Sequence, residues 1–278
     1  MTPGEPLLTF DRVALESERR TVSFQILPGD AYALMGSAAS GKTKLLDIAL
    51  KQSKPASGEV HYHADTITPA DGAFGRRATP ASLAKSFLKK GEHERITTTL
   101  TALGLWEVRD QTANSLTTGQ IIACSLLGCF LVDDPLVIID GHLDMLDPWL
   151  LEEVSELIEA ERQAGRAFLI STNRPDIAER LGSIIVLRGS QALFAGTCRE
   201  LIESVQASEI TVELDDETTV ATMVEPFTVS VKTSPGRLDI TAHDGQALAA
   251  KLLTHGYGRV KSVVLREPTL EQALLTLR

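Results

Sequence analysis

The sequence predicts an α/β domain built on a mostly parallel sheet and interrupted by a helical insert, with a small α+β domain after it. Three observations predict it. Short apolar runs of strand length alternate with helix-length segments in the first part of the chain. Residues 80–113 show helical spacing with no strand among them. After about residue 205 the pattern changes to half-exposed alternation.

Each element follows from its residues. AYALMGS (31–37) is an apolar run ending in glycine, a buried strand entering a tight loop, and SGKTKLLDIALK then opens a helix. PLVIID (135–140), AFLIST (167–172) and SIIVLRG (183–189) are three further buried strands. Between the first two of these lies LDPWLLEEVSELIEAERQAG. There Asp147 caps a helix, Pro148 suits its first position, and Leu150, Leu151, Val154, Leu157 and Ile158 form one stripe up to Gly165. In the insert, which spans about 80–130, Leu83 and Phe87, then Ile96, Leu100 and Leu103, recur at helical spacing. In the tail, EITVELD, FTVSVKT, RLDITAH and RVKSVVLRE read as strands, and GQALAAKLLTHG and PTLEQALLTLR as helices. The expected division is therefore 1–205 and 206–278.

Composition narrows the function. A chain of 278 residues, 43% hydrophobic and 23% charged, can bury an ordinary core. A net charge of −10 gives no general attraction to nucleic acid or anionic lipid, so neither is an expected partner. Cys124, Cys129 and Cys198 show no CxxC spacing and read as buried thiols of a reducing compartment. MTPGEPLLTF has no basic segment followed by an apolar one, so no signal peptide is expected. IIACSLLGCFLV (121–132) is too short to cross a bilayer. The expected location is cytoplasmic, with any membrane association made through a partner.

The chemistry starts at GSAASGKT (36–43), which matches G-x-x-x-x-G-K-[ST] between an apolar strand and a helix. Successive amides of such a loop, with the helix N-terminus behind them, form a concavity for a phosphate. Lys42 would reach the β- and γ-phosphates of ATP, and the Thr43 hydroxyl would hold Mg²⁺. Asp140, at the end of LVIID, fits as the second metal residue. His61 and His63 share a strand face but have no third ligand nearby, and read as exposed strand residues.

The order GSAASGKT, SLTTGQ (115–120), LVIID (136–140), LDP (146–148) and LISTN (169–173) resembles the nucleotide-binding subunits of ABC transporters. Pro135 follows Gln120 by fifteen positions, as in that family, and KPASGEV (54–60) is similar to its segment after the first helix. The ending REPTLEQALLTLR resembles the accessory C-terminal segment of exporter ATPases. The resemblance implies a P-loop NTPase core with Gly36, Ser37, Ala38, Ala39, Ser40, Gly41, Lys42, Thr43 and Lys44 on the nucleotide, and Thr43 and Asp140 on Mg²⁺. It further implies that Thr117, Thr118, Gly119 and Gln120 are lent to a partner's site, in a dimer with a second ATP-binding subunit seated on transmembrane permease subunits.

Departures fall on the catalytic parts. Gly141 stands where the family has the glutamate that activates water, and Asn173 where it has the switch histidine. No glutamine occurs between Gln52 and Gln111, and no aromatic residue between Phe10 and Phe24, where the family's adenine-stacking ring stands. Ala39 and Thr118 replace glycines, and Ile121-Ile122-Ala123 replaces polar and basic residues. A positioned general base contributes roughly 10²–10⁴-fold, so binding without fast hydrolysis is the expected outcome. Two alternatives stand beside it: an active homodimeric exporter ATPase with a substitute base, for which His142 and Asp144 are nearest in sequence, and a scaffold or regulatory subunit with a vestigial site.

Overall fold

The computed structural model describes residues 5–16, 21–64, 67–70, 75–88, 93–205, 208–214, 228–242, 244–255 and 260–277. Phe227 of the expected strand FTVSVKT, and Lys89 and Lys90 of the insert, lie outside them. The chain divides into two compact units, Met1–Thr197 and Cys198–Arg278.

A six-stranded sheet forms the centre of the first unit. Its order is β5 (Ile67–Pro69), β6 (Leu136–Asp140), β7 (Ala167–Ser171), β3 (Ala31–Gly36), β8 (Ser183–Arg188) and β9 (Gln191–Thr197). Every pairing is parallel except β8–β9. All of β7 is buried, and so is β6 up to its final Asp140, which is why both read as continuous apolar runs. Gly189 and Ser190 have φ of +51° and +63°, the backbone a two-residue hairpin turn requires, and this turn reverses the chain into β9.

A second, antiparallel sheet of order β2 (Val22–Ile26), β1 (Leu8–Ala14) and β4 (Ser57–Tyr62) was not legible from the apolar runs. Two of its strands give no apolar run, VSFQI because it alternates strictly and SGEVHY because it is largely exposed. Phe10 and Phe24 are register partners whose rings stack at 4.6 Å, and both join the core shared with Leu34, Leu45, Ile138 and Ile185.

Helices complete the unit. α1 (Lys42–Ala49) follows the loop after β3, and α6 (Pro148–Gln163) connects β6 to β7. Leu151, Val154 and Ile158 of the expected stripe are buried, and Asp147 Oδ1 accepts from the amides of Trp149 and Leu150, both at 3.0 Å. α7 (Pro175–Leu181) links β7 to β8. The insert contains α2 (Pro80–Phe87), α3 (His93–Ala102), α4 (Thr118–Ser125) and α5 (Leu127–Leu131). Ile96, Leu100 and Leu103 are buried as the spacing predicts. In α2, however, Pro80 and Ala84 are the buried residues, while Phe87 stays 38% exposed with its ring against Gly128. Arg95 ties α3 to the residues just before β6, donating to Phe130 O at 3.2 Å and Asp133 Oδ1 at 2.6 Å.

The second unit contains β10 (Ser208–Leu214), β11 (Thr228–Ser234), β12 (Arg237–Ala242) and β13 (Val260–Arg266) in the antiparallel order β11-β12-β10-β13. With α9 (Gly245–His255) between β12 and β13, this is the strand order of a split βαβ arrangement. Ile210, Val212, Leu238 and Ile240 cluster with Leu248 and Leu252 of α9. The division falls before α8 (Cys198–Ser204) rather than near residue 205, because α8 packs with α10 (Leu270–Thr276) and buries Leu201, Leu270 and Ala273 in that unit. No described helix is long and apolar enough to cross a membrane.

Phe10→Ala removes a ring that is 1% exposed and part of the core. A loss of about 3–5 kcal/mol is expected, read as a lowered urea midpoint with an unchanged slope.

Candidate functional site

The carboxyl ends of β3, β6 and β7 lie side by side, with Leu34 and Asp140 both in register with Ser171. Loops leaving adjacent parallel strands at this end converge on one crevice.

The loop 36–43 wraps the start of α1. Gly36 has φ +154°, and a Cβ on it would stand 2.3 Å from Leu187 O and 2.5 Å from Ser40 Oγ, so only glycine fits. Ser37, Ala38 and Ala39 form an exposed lip and Ser40 the buried base. Ala39 holds φ +58°, a conformation that costs a non-glycine residue about 1 kcal/mol or more. From below, the Ser190 amide donates to Ser40 O at 2.9 Å, so the β8–β9 turn braces the loop. Gly41, at φ +100°, precedes a helix that has no side-chain cap and no acidic residue in its first turn. By contrast α2, α4 and α6 are each capped by their own side chains. An uncapped positive helix end behind a wrapped loop is suited to an anion.

Lys42 Nζ donates to Gly36 O at 2.5 Å and Ser37 O at 3.2 Å, spanning the loop. Burial lowers its pKa, against the opposing fields of Asp140 and Asp144. Lys44, on the next turn of chain, is half-buried. Thr43 Oγ1 donates to Asp140 Oδ2 at 3.1 Å, and Ser171 Oγ donates to Asp140 Oδ1. A hydroxyl and a carboxylate meeting at an exposed strand end are the hard oxygen donors that Mg²⁺ takes, so these residues fit the metal.

Past Asp140 the chain turns sharply. Gly141 has φ +71° and opens a 3₁₀ turn, His142–Met145, and a Cβ added there would meet nothing within 4 Å. The backbone, not a lack of space, is what disfavours a larger residue. Asp144 is turned toward β7: Thr172 Oγ1 donates to its Oδ1, and the Asn173 amide to its Oδ2 at 2.9 Å. The Asn173 side chain is exposed, and the Arg174 guanidinium pairs with Asp176 at 2.7 Å.

Thr117–Gln120 begin α4. The Thr117 amide donates to Gln120 Oε1 at 2.9 Å, and the Gln120 amide to Thr117 Oγ1 at 3.3 Å, a reciprocal capping box. Thr118 is exposed, and around Gly119 a Cβ would meet nothing within 4 Å. Among the described residues no hydrogen bond joins this segment to the cradle; α4 packs instead against the His142–Met145 turn.

The family described as ABC transporter matches residues 19–143. This chain carries an ABC transporter ATP-binding domain. The thiamine import ATP-binding protein ThiQ of Photobacterium profundum is 27% identical over 191 residues, 61% of this chain and 79% of that protein. The ATP-dependent lipid A-core flippase of Burkholderia pseudomallei is 26% identical over 206 residues, 66% of this chain but only 34% of that longer protein. The structure of cbiO1 from Clostridium perfringens, part of the ABC transporter complex cbiONQ, superposes with a TM-score of 0.59 at 18% identity. It covers 73% of this chain and 95% of that one, a likeness of fold.

Within the ABC domain, the structure brings the cradle, Lys42, Thr43 and Asp140 into one group. Asp144 was considered only as one of the nearest candidates for a substitute base, and Ser171, Thr172 and the bracing Ser190 were not singled out as site residues by sequence reasoning. The only signal for these three was the hydroxyl pair ending AFLIST and a small-residue turn after SIIVLR. His61 is half-exposed and lies 3.7 Å from Glu59, and exposed His63 falls just past the end of β4.

Gly36→Ala should force the loop off Leu187 O and abolish nucleotide binding, while the far-UV circular dichroism of the domain stays close to that of the wild type. Retained binding would show that this contact does not shape the cradle.

Proposed function

We propose that this chain is the ATP-binding subunit of an ABC transporter complex, holding ATP and Mg²⁺ at its own cradle while hydrolysing very slowly. One observation carries the reading: the phosphate loop and the Thr43–Asp140 pair are complete, whereas the next residue is a left-handed glycine with no side chain. Gly36 to Lys44 hold the phosphates, and Thr43 and Asp140 the cation. Bound Mg²⁺ would supply charge neutralisation at the phosphates.

Asp144 does not serve as a substitute base in this reading, because Thr172 and the Asn173 amide each donate to one of its oxygens. His142 sits half-buried in the 3₁₀ turn beside it. The chain acts as a binding and coupling half, lending Thr117–Gln120 to a competent second ATP-binding subunit. Its nucleotide state then biases permease subunits between conformations. It works at the cytoplasmic face of a membrane, held there by those subunits.

The purified chain should bind ATP–Mg²⁺ and lose that binding on Lys42→Ala, with phosphate release at background in both proteins. Turnover at ordinary transporter rates, abolished by Lys42→Ala, would refute slow hydrolysis. Gly141→Glu should raise turnover by less than the roughly 10²–10⁴-fold of a well-placed base, since φ +71° costs the new side chain about 1 kcal/mol or more.

A further inference from the structure

We infer that Asp144 is a specificity-determining residue of this site, setting the balance between triphosphate and diphosphate; the inference rests on the nucleotide reading above. Its carboxylate is clamped: Thr172 Oγ1 donates to one oxygen and the Asn173 amide to the other. Thr172 is itself fixed, its amide donating at 3.1 Å to the carbonyl of Leu34, two residues before the cradle opens at Gly36. The preceding residue, Ser171, donates to Asp140. Asp144 is thus pinned in the same row of strand ends as the metal carboxylate.

The charge balance follows. Lys42 feels both Asp140 and Asp144, so two carboxylates confront one ammonium before any divalent cation arrives. Arg174 is paired first with Asp176, at 2.7 Å, and feels the field of Asp144 more weakly. A metal ligand's charge is spent on the cation; that of Asp144 is offset only by the Arg174 guanidinium, whose first partner is Asp176. Each further phosphate adds negative charge near a carboxylate that cannot swing away, so Asp144 penalises the γ-phosphate more than the shared α- and β-phosphates. The site therefore holds ADP nearly as well as ATP, where a neutral residue at 144 would favour ATP.

Isothermal titration of the full chain with ATP and with ADP, each in excess Mg²⁺, tests this. Asp144→Asn keeps an oxygen for the Asn173 amide and removes the charge. It should tighten ATP by about tenfold and ADP by about threefold or less. Asp144→Ser, which removes charge and bulk together, should shift the ratio the same way. Equal changes for the two nucleotides, or weakening of both, would mean that Asp144 only packs the loop, and would overturn the inference. A wild-type chain that binds neither nucleotide overturns the nucleotide reading and this inference with it.

Discussion

One carboxylate joins three elements of the ABC domain. Asp140 accepts from Thr43 at the start of α1 and from Ser171 at the end of β7, so a helix and two strands meet at a single side chain. Residues 97 positions apart are brought within hydrogen-bond distance by it. The loop around Lys42 keeps its shape because both its ends are fixed: α1 by Thr43, and β3 by its pairing with β7 and β8. Everything concerning nucleotide and metal presupposes this junction.

The junction also bears on the proposed separation of binding from hydrolysis. The proposed grip depends on main-chain shape, on a lysine and on two oxygen donors, supplied by strand ends and by the first turn of α1. In that proposal water activation would depend on a single side chain at position 141, and there the backbone has turned left-handed. The crevice keeps its frame there through the backbone, since the Gly141 amide donates to Ser171 O and its carbonyl accepts from the Asp144 amide, both at 3.2 Å.

Much of this was legible in the residues. The buried strands of the central sheet announced themselves because burial on both faces demands unbroken apolar runs, as in LVII and AFLI. The cradle and Asp140 were legible because their spacing relative to those runs has a mechanical reason. The antiparallel sheet was not, because strands such as VSFQI bury alternate residues and are short. The Asp144 clamp was hidden for another reason: it joins a carboxylate to partners 28 and 29 positions later, and periodicity carries no information about such pairs. Phe87 misled in a third way, since a large apolar residue at helical spacing need not be fully covered when it leans on a glycine.

The first turn of α4 closes on itself through Thr117 and Gln120. A helix start that is self-sufficient stays wound in the lone chain, so a neighbour arriving there encounters a ready-made dipole tip and has no coil to order. Under the proposed pairing, association at that tip would carry little conformational penalty, leaving its strength to fit and charge.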